Sequence, residues 1–239
     1  MAFDRDFLVF GHRGAAGLEP ENTLRSFLRA SALGVDAVEL DVRLKNGRLL
    51  VCHDDTVNRC TNGSGSIKAL NLEHIRSLDA GKGEKIPFLE EVFQILPKSV
   101  AINIEIKTTR MIEKTVLAIV EVIARFPDVP VLVSSFQHEV LVSFRRYDKK
   151  TRVAPLYHKN SGDMLVTAKN LDAWSLNISR KIVSQELVEK IRCSGHKIYV
   201  WTVNMPEEAK RFENWGVDGV ITDFPDRLIK PSPVQLYPA

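Results

Sequence analysis

Carboxylates alternate with apolar residues in two short segments of the sequence. Glu39 and Asp41 stand two apart in the segment VELDV at 38–42, so on a β-strand both side chains point to one face. Glu105 lies in INIEIK at 102–107, where isoleucines occupy the opposite face. Two carboxylates about 5 Å apart repel by roughly 3 kcal/mol at an effective dielectric of about 20. Such a cluster needs a cation or shifted pKa values, unless the acids lie exposed on an edge strand.

Imidazole and basic side chains stand close to similar apolar segments. His12 and Arg13 directly follow the apolar run 7–10 and lie between glycines, which allow a backbone to approach a ligand closely. A His-Arg pair in this position suits an anion, whereas a single histidine beside a strand is more often structural. Lys107 either joins the polar face of its segment or only neutralises Glu105.

His53 reaches the carboxylates only if the chain folds back on itself. Asn46 and Gly47 are a strong signal for a two-residue hairpin turn, which lays the run that ends at His53 beside the strand that carries the acids. A strict two-residue turn pairs His53 with Leu40, so the direction of the imidazole ring depends on the turn type or on a bulge. The hairpin therefore predicts proximity and leaves the orientation open.

The charges of these side chains predict a metal site. Glu39, Asp41 and Glu105 carry three negative charges against the two positive charges of Arg13 and Lys107. One bound monoanion would add a further negative charge. A single divalent cation then brings the net charge of the site to zero. Oxygen ligands suit Mg²⁺ or Ca²⁺, with Mn²⁺ as a further candidate, and zinc is less expected without cysteine or clustered histidine ligands. We therefore predict one divalent cation, Mg²⁺ or Ca²⁺.

Alternating strands and helices are predicted to position these groups. Amphipathic helical stretches such as 23–33 and 111–125 separate most of the apolar runs, which is typical of a parallel sheet. Eight strand–helix units favour an α/β fold of the (β/α)8 TIM barrel type, and a doubly wound open sheet is the alternative. The eight predicted strands are 7–10, 37–42, 100–106, 129–134, 152–156, 173–178, 198–203 and 217–221.

An insertion interrupts the repeat after the hairpin. The run 49–53 is predicted as an extra antiparallel strand outside the eight units. The segment 54–87 that follows is rich in Gly, Ser, Asn and Lys, so we predict loops with one short helix near 72–78.

The composition excludes several classes of protein. The chain has 239 residues, of which 44% are hydrophobic and 26% charged, which is unlike disordered, collagen-like or coiled-coil chains. A net charge of +3 without a run of basic residues gives no reason to expect nucleic acid as a partner. Three cysteines without a CxxC pair argue against a disulfide framework. Without a long apolar segment we expect no stable membrane insertion and a soluble, cytoplasmic protein.

An ordered set of motifs resembles the glycerophosphodiester phosphodiesterase family. Each motif alone is weak, but the order is specific and covers nearly the whole chain. The motifs are HRG at 12–14, PENT at 20–23, ELD at 39–41, HD at 53–54, EIK at 105–107, SSF at 134–136, WTVN at 201–204 and ITDFP at 221–225.

The resemblance implies a role for each candidate residue. Glu39, Asp41 and Glu105 would be metal ligands, and His12 and His53 the acid and base pair. By the same resemblance, Arg13 and Lys107 would hold the phosphate of the substrate.

The resemblance also implies a domain organisation. A phospholipase-C-like phosphodiesterase barrel would span 1–239 as a single domain, with 54–87 as a small insertion over the barrel mouth. The turn at Asn46-Gly47 is a residue shorter than in the commoner family form.

The reaction implied is metal-dependent hydrolysis of a small-molecule glycerophosphodiester, such as glycerophosphocholine or glycerophosphoethanolamine, to sn-glycerol 3-phosphate and an alcohol. Water or the glycerol hydroxyl of the substrate could be the nucleophile. A lysophospholipase D or related phospholipase is an alternative that needs a place for an acyl chain, and the polar composition of 54–87 favours a water-soluble substrate. A barrel that binds phosphodiesters without cleaving them is expected to lack one of the two histidines or one of the three carboxylates. His12, His53, Glu39, Asp41 and Glu105 are all present.

Two further residues have open interpretations. Trp201 either packs in the core or forms a wall for the glycerol moiety of the substrate. Asn22, in the PENT motif, is predicted as the N-cap of the first helix.

Overall fold

The computed structural model describes residues 3, 5–107 and 110–229, and the two ends of the predicted domain 1–239 lie outside them. In this part of the chain, strands and helices alternate except where β3 follows β2 and α3 follows α2. The strands are β1 (Leu8–Gly11), β2 (Ala37–Lys45), β3 (Arg48–Val51), β4 (Ala101–Ile106), β5 (Val131–Ser135), β6 (Arg152–Tyr157), β7 (Ser175–Ser179), β8 (Lys197–Trp201) and β9 (Gly219–Thr222). The helices are α1 (Leu24–Ala32), α2 (Leu72–Ser77), α3 (Leu89–Ile95), α4 (Ile112–Arg125), α5 (His138–Tyr147), α6 (Met164–Asn170), α7 (Gln185–Cys193), α8 (Pro206–Trp215) and α9 (Pro225–Leu228).

Eight of these strands close into a parallel barrel. Each strand except β3 pairs in parallel with its neighbours, and β1 pairs with both β2 and β9, which joins the two ends of the sheet. This closure confirms the predicted (β/α)8 TIM barrel and excludes the open doubly wound sheet. Most observed strand ends differ by one or two residues from the predicted ones.

Two apolar layers hold the barrel. One lies between strands and helices, and the isoleucines of β4 belong to it. The other fills the floor of the barrel, where the rings of Phe10 and Tyr199 lie 4.8 Å apart. Each large side chain buried in this way contributes roughly 1.5–3 kcal/mol. Above this floor, inward-pointing side chains include the polar groups of Glu39, Asn103 and Glu105.

The hairpin forms with the predicted two-residue turn. Asn46 and Gly47 have φ angles of 49° and 77°, as a type I′ turn requires. β2 continues to Lys45 because β3 pairs with its outer half, from Val42 opposite Val51 to Lys45 opposite Arg48. This register confirms the predicted two-residue turn at Asn46 and Gly47.

The segment that follows β3 has a small core of its own. Its apolar side chains pack against one another beside α2 and form a cluster separate from the barrel core. The cluster comprises Leu50, Cys52, Val57, Ile67, Ile75, Leu78, Ala80 and Ile86.

No helix in the described ranges is both long enough and apolar enough to span a bilayer.

Candidate active site

Three buried carboxylates meet at the C-terminal ends of two neighbouring strands. Glu39 and Asp41 come from β2 and Glu105 from β4, with Asp41 directly opposite Glu105 in the register. One oxygen of each lies within 4.8 Å of the others, and the three residues are 3%, 1% and 8% exposed. The alternative of exposed acids on an edge strand is therefore wrong.

The charge of this acidic cluster is only partly compensated by the protein. Lys107 Nζ lies 2.7 Å from Glu105 and 3.5 Å from Asp41, and Arg13 Nε lies 3.3 Å from Asp41. Burial and the charge of Asp41 raise the pKa of Glu39 and of Glu105. A raised pKa means that the site disfavours three ionised carboxylates without a further cation. Their oxygens fit a hard divalent metal ion, so the cluster could bind one.

Each candidate histidine is held by an aspartate through its Nδ1. His12 Nδ1 lies 2.6 Å from Asp223, and His53 Nδ1 lies 2.6 Å from Asp54. This leaves Nε2 of each ring for a ligand, and Nε2 of His12 is 3.9 Å from Glu39.

The two imidazole rings are affected in opposite directions by these surroundings. Burial opposes the charged form of His12, but the hydrogen bond with Asp223 and the charge of Glu39 outweigh burial and raise its pKa. For His53, burial together with the charges of Arg13 and Lys107 outweighs the attraction of Asp41 and the bond with Asp54, so its pKa is lowered. Opposite shifts in one pocket are typical of acid–base pairs.

Arg43 is a site residue that the sequence reasoning missed. Its guanidinium donates to the carbonyl oxygen of His53 at 3.0 and 2.7 Å and to that of Lys107 at 3.2 Å. It therefore ties the end of the hairpin to the end of β4. The available signal was its place two residues after Asp41, on the same face of β2.

The pocket above the cluster is small and closed on one side by aromatic rings. It has a volume of about 120 Å³. Trp201 meets Phe136 edge to face at 5.4 Å, and it also packs on the floor of the barrel. Its predicted role as a wall for the glycerol moiety stays a prediction. The lining residues are His12, Arg13, Glu39, His53, Asn103, Glu105, Lys107, Ser134, Phe136, Leu156, Trp201, Thr202 and Ile221.

The sequence matches one family along most of its length. Residues 12–227 match the Glycerophosphoryl diester phosphodiesterase family. The chain belongs to this family. The resemblance read from the sequence motifs is thereby confirmed.

Two relatives of this glycerophosphodiester phosphodiesterase family member have names that point to different substrates. A glycerophosphodiester phosphodiesterase of Caldanaerobacter subterraneus subsp. tengcongensis is 40% identical, over 93% of this chain and 96% of its own. A human protein named lysophospholipase D is 25% identical, over 91% of this chain and 83% of its own.

A solved structure gives the same barrel with a bound product. The Oleispira antarctica phosphodiesterase in complex with sn-glycerol-3-phosphate has a TM-score of 0.89 and 31% identity. The match covers 92% of this chain and 94% of that one.

Asn22 does not cap the first helix, and the prediction that it does is wrong. Thr23 is the N-cap of α1, and its side chain accepts from the N–H of Ser26. Asn22 is buried with φ at 56°, donates from Nδ2 to Asp41 at 2.9 Å and accepts the Asp41 N–H at 3.4 Å. In this family member, the residue holds a carboxylate of the acidic cluster.

Asn22→Gly is expected to lower both stability and metal affinity. Glycine tolerates the positive φ, so the change mainly removes the amide, at a cost of about 1–3 kcal/mol in unfolding free energy. Thr23→Ala is the matched control, because loss of a cap also costs about 1 kcal/mol but leaves Asp41 untouched. Titration with Mn²⁺ should show weaker binding in Asn22→Gly alone, and equal affinities in both variants would contradict this role.

Because the pKa of Glu39 is raised, we expect the stability of the metal-free protein to depend on pH. A carboxyl whose pKa is raised on folding stabilises the protein fully only below its ordinary value of 4.5, and that contribution is lost as pH rises. In EDTA, Glu39→Gln should therefore gain at least about 1 kcal/mol relative to wild type between about pH 5 and pH 8. Urea unfolding at both pH values measures this gain. If the unfolding free energies of Glu39→Gln and wild type differ by the same amount at both pH values, the raised pKa of Glu39 is refuted.

Proposed function

We propose that this protein hydrolyses glycerophosphodiesters to sn-glycerol 3-phosphate and an alcohol, with one divalent cation held by Glu39, Asp41 and Glu105. The observation that carries the proposal is the meeting of this buried acidic cluster with two Asp-bound histidines in one pocket. The similar Oleispira antarctica structure, which contains sn-glycerol-3-phosphate, supports the identity of the product.

The residues of the pocket divide the work of phosphodiester hydrolysis. Arg13 and Lys107 carry positive charge at the pocket wall, where they would hold the phosphate. One of His12 and His53 takes a proton from the nucleophile, and the other gives a proton to the leaving alkoxide. Their Nδ1–Asp bonds fix which nitrogen faces the substrate, as acid–base catalysis requires. A bound divalent cation would act as a Lewis acid toward the phosphate oxygens.

The inner wall of the pocket fits the glycerol half of the substrate. Asn103 is 1% exposed, and its Nδ2 has no hydrogen-bond partner among the described residues, while its Oδ1 accepts from Ser134 at 3.0 Å. A buried donor without a partner costs about 1–3 kcal/mol, so it would be satisfied by a hydroxyl of the substrate. Trp201 would form the apolar side of the same space.

A water-soluble substrate fits the insertion better than a lysolipid does. Its apolar residues face their own cluster, and none of the large exposed hydrophobic side chains in the described ranges falls within 54–87. An acyl chain would therefore find little apolar surface there.

We further propose that 1–239 is one domain and that 54–87 covers the barrel mouth. Arg59 of this segment donates to Glu21 in the loop between β1 and α1 at 2.6 and 2.9 Å, which supports this placement.

The test is an assay of sn-glycerol 3-phosphate release, coupled to glycerol-3-phosphate dehydrogenase. Glycerophosphocholine and glycerophosphoethanolamine are expected to be hydrolysed. Choline release from lysophosphatidylcholine, measured below its critical micelle concentration, should be at least about tenfold slower in kcat/KM, since the acyl chain has no place to bind. Faster turnover of the lysolipid would overturn the substrate class. Binding of glycerophosphocholine without turnover would overturn catalysis.

A further inference from the structure

His53 lies where the sheet no longer fixes the chain. The N–H of Cys52 donates to the carbonyl of Asp41 at 2.9 Å, and beyond it the chain leaves the hairpin. Arg43 holds the backbone carbonyl of His53, but this bond does not fix the direction of the imidazole ring. In the described part of the chain, the ring has one hydrogen bond, from Nδ1 to Asp54 at 2.6 Å. The position of the ring therefore depends on Asp54.

The other histidine is supported by the barrel itself. The backbone N–H of His12 continues the ladder with β9 at 2.8 Å, and Asp223, which holds its ring, directly follows β9. The side chain of Asn204 donates to Asp223 at 2.7 Å and accepts its N–H at 2.9 Å. Asp54, by contrast, follows His53 outside the strands. It fixes the ring of His53 only if another segment holds Asp54.

A guanidinium of the insertion holds Asp54. Arg59 donates from Nε and Nη2 to the two oxygens of Asp54, at 2.8 and 3.0 Å. Through Nη1 and Nη2 it also donates to the two oxygens of Glu21, at 2.6 and 2.9 Å. The Arg59 side chain is 47% exposed, and a single exposed ion pair contributes little. A planar guanidinium bound to both oxygens of two carboxylates, however, has its orientation restricted, so Arg59 links Asp54 to the loop between β1 and α1.

Arg59 also keeps Asp54 ionised. Its hydrogen bonds are the largest cause that lowers the pKa of the Asp54 carboxyl. An ionised carboxylate only accepts hydrogen bonds, so Nδ1 of His53 is the donor in their contact. The bond to Asp54 therefore sets both the direction of the ring and the nitrogen that faces the pocket.

The folded insertion presents Arg59. Val57, two residues earlier, is 1% exposed and belongs to the apolar cluster of the insertion. Its N–H donates to the carbonyl of Gly65 at 3.0 Å. Its carbonyl accepts from the N–H of Thr61 at 3.1 Å and from the hydroxyl of Thr61 at 2.7 Å. These bonds hold the turn that carries Arg59 on both sides.

We propose that Arg59 is a positioning residue for the hydrolysis: through Asp54 it holds the imidazole of His53 in the pocket, with Glu21 as its anchor on the barrel. This inference rests on the proposed function. Arg59 is not among the described residues that line the catalytic pocket, so it acts through another side chain. The insertion then contributes to the rate of the reaction and does not only cover the barrel mouth.

Arg59→Ala is expected to lower kcat for glycerophosphocholine about 10- to 100-fold, since a misplacement of about 1 Å can cost about 10²-fold. KM should stay within about threefold, because Arg13 keeps its own bond to Glu21 at 2.7 Å. The same substitution in Asp54→Ala, which lacks the carboxylate that Arg59 holds, should cost less than about threefold, because the two residues act as a unit. Equal costs in both backgrounds, or a kcat of Arg59→Ala within about threefold of wild type, would overturn the proposal.

Arg76→Ala is the matched control. Arg76 is another arginine of the insertion, and it donates to Glu91 of α3 at 2.8 Å and to the carbonyl of Ile86. Its loss loosens the insertion but leaves the contacts of His53 intact, so kcat should stay within about twofold of wild type. An equal fall of kcat in Arg76→Ala and Arg59→Ala would mean that only the stability of the insertion matters, which would also overturn the proposal.

Arg59→Lys takes the place of Arg59→Ala if urea unfolding shows that the alanine variant does not fold. A single ammonium cannot bind both oxygens of Asp54 and of Glu21 as the guanidinium does. We therefore expect kcat to fall at least about threefold, and to fall less in the Asp54→Ala background. An unchanged kcat of Arg59→Lys would overturn the proposal.

The outcomes separate the two proposals. If the wild-type protein does not hydrolyse glycerophosphocholine, the proposed function fails. If the wild type is active and Arg59→Ala costs the same with and without Asp54, only the positioning role of Arg59 fails.

Discussion

Alanine in place of His12 or of His53 is expected to lower kcat for glycerophosphocholine hydrolysis by about 10² to 10⁴-fold, the usual contribution of a general acid or base. Both rings line the pocket, and both are held through Nδ1. Loss of either imidazole leaves the nucleophile or the leaving alkoxide without its proton-transfer group. Release of sn-glycerol 3-phosphate under saturating substrate measures the effect.

The control for both variants is His74→Ala, the same substitution at an exposed position of α2. It should leave kcat within about twofold of wild type. Asp54→Asn and Asp223→Asn keep the shape of the partner but remove its charge, so they should shift the pH–rate profile. If His12→Ala or His53→Ala turns over at a near-normal rate, that histidine has no acid–base role.

Removal of the divalent cation is expected to reduce hydrolysis to background. The metal-free site would lack the Lewis acid for the phosphate oxygens, and Arg13 and Lys107 are already paired with carboxylates of the acidic cluster. Dialysis against EDTA should abolish release of sn-glycerol 3-phosphate. Readdition of Mg²⁺, Ca²⁺ or Mn²⁺ should restore it, and comparison of the three identifies the most effective ion.

Asp41→Asn should reproduce the effect of EDTA and weaken metal binding. Asp41 is 1% exposed and lies between Arg13 and Lys107, and its substitution removes one of the three carboxylates of the acidic cluster. Glu186→Gln, at an exposed residue of α7, neutralises an acid far from the site and should leave both activity and metal affinity unchanged. Full activity after thorough chelation would contradict the metal site.

Local periodicity was enough to predict the acidic cluster. Side chains alternate along a strand, so Glu39 and Asp41 had to share a face. The count of strand–helix units then placed Glu105 on a neighbouring strand. The barrel and three of its site residues therefore follow from patterns that span only a few residues.

The orientation of His53 did not follow from such a pattern. The strict register would pair His53 with Leu40, but the last ladder bond is made by the N–H of Cys52 to Asp41 at 2.9 Å. Beyond it the chain leaves the strand, and Arg43 holds the His53 carbonyl instead. A contact between side chain and backbone leaves no periodic signal in the sequence.

Contacts between distant segments were equally hidden. Asp223, which holds His12, lies 211 residues away from it along the chain, and Arg59 reaches from the insertion to Glu21, 38 residues away. Asn22 looked like a helix cap because its residue type favours that position. Only the folded unit of β1, α1 and β2 places its amide against Asp41.

We propose that this site cleaves the bond between phosphate and alcohol in a glycerophosphodiester. ³¹P NMR of glycerophosphocholine incubated with the metal-loaded protein measures this cleavage directly. We expect the diester signal to be replaced by that of sn-glycerol 3-phosphate, and we expect Asp41→Asn to leave the diester intact over the same time. A phosphocholine signal, or an unchanged diester with the wild-type protein, would contradict it.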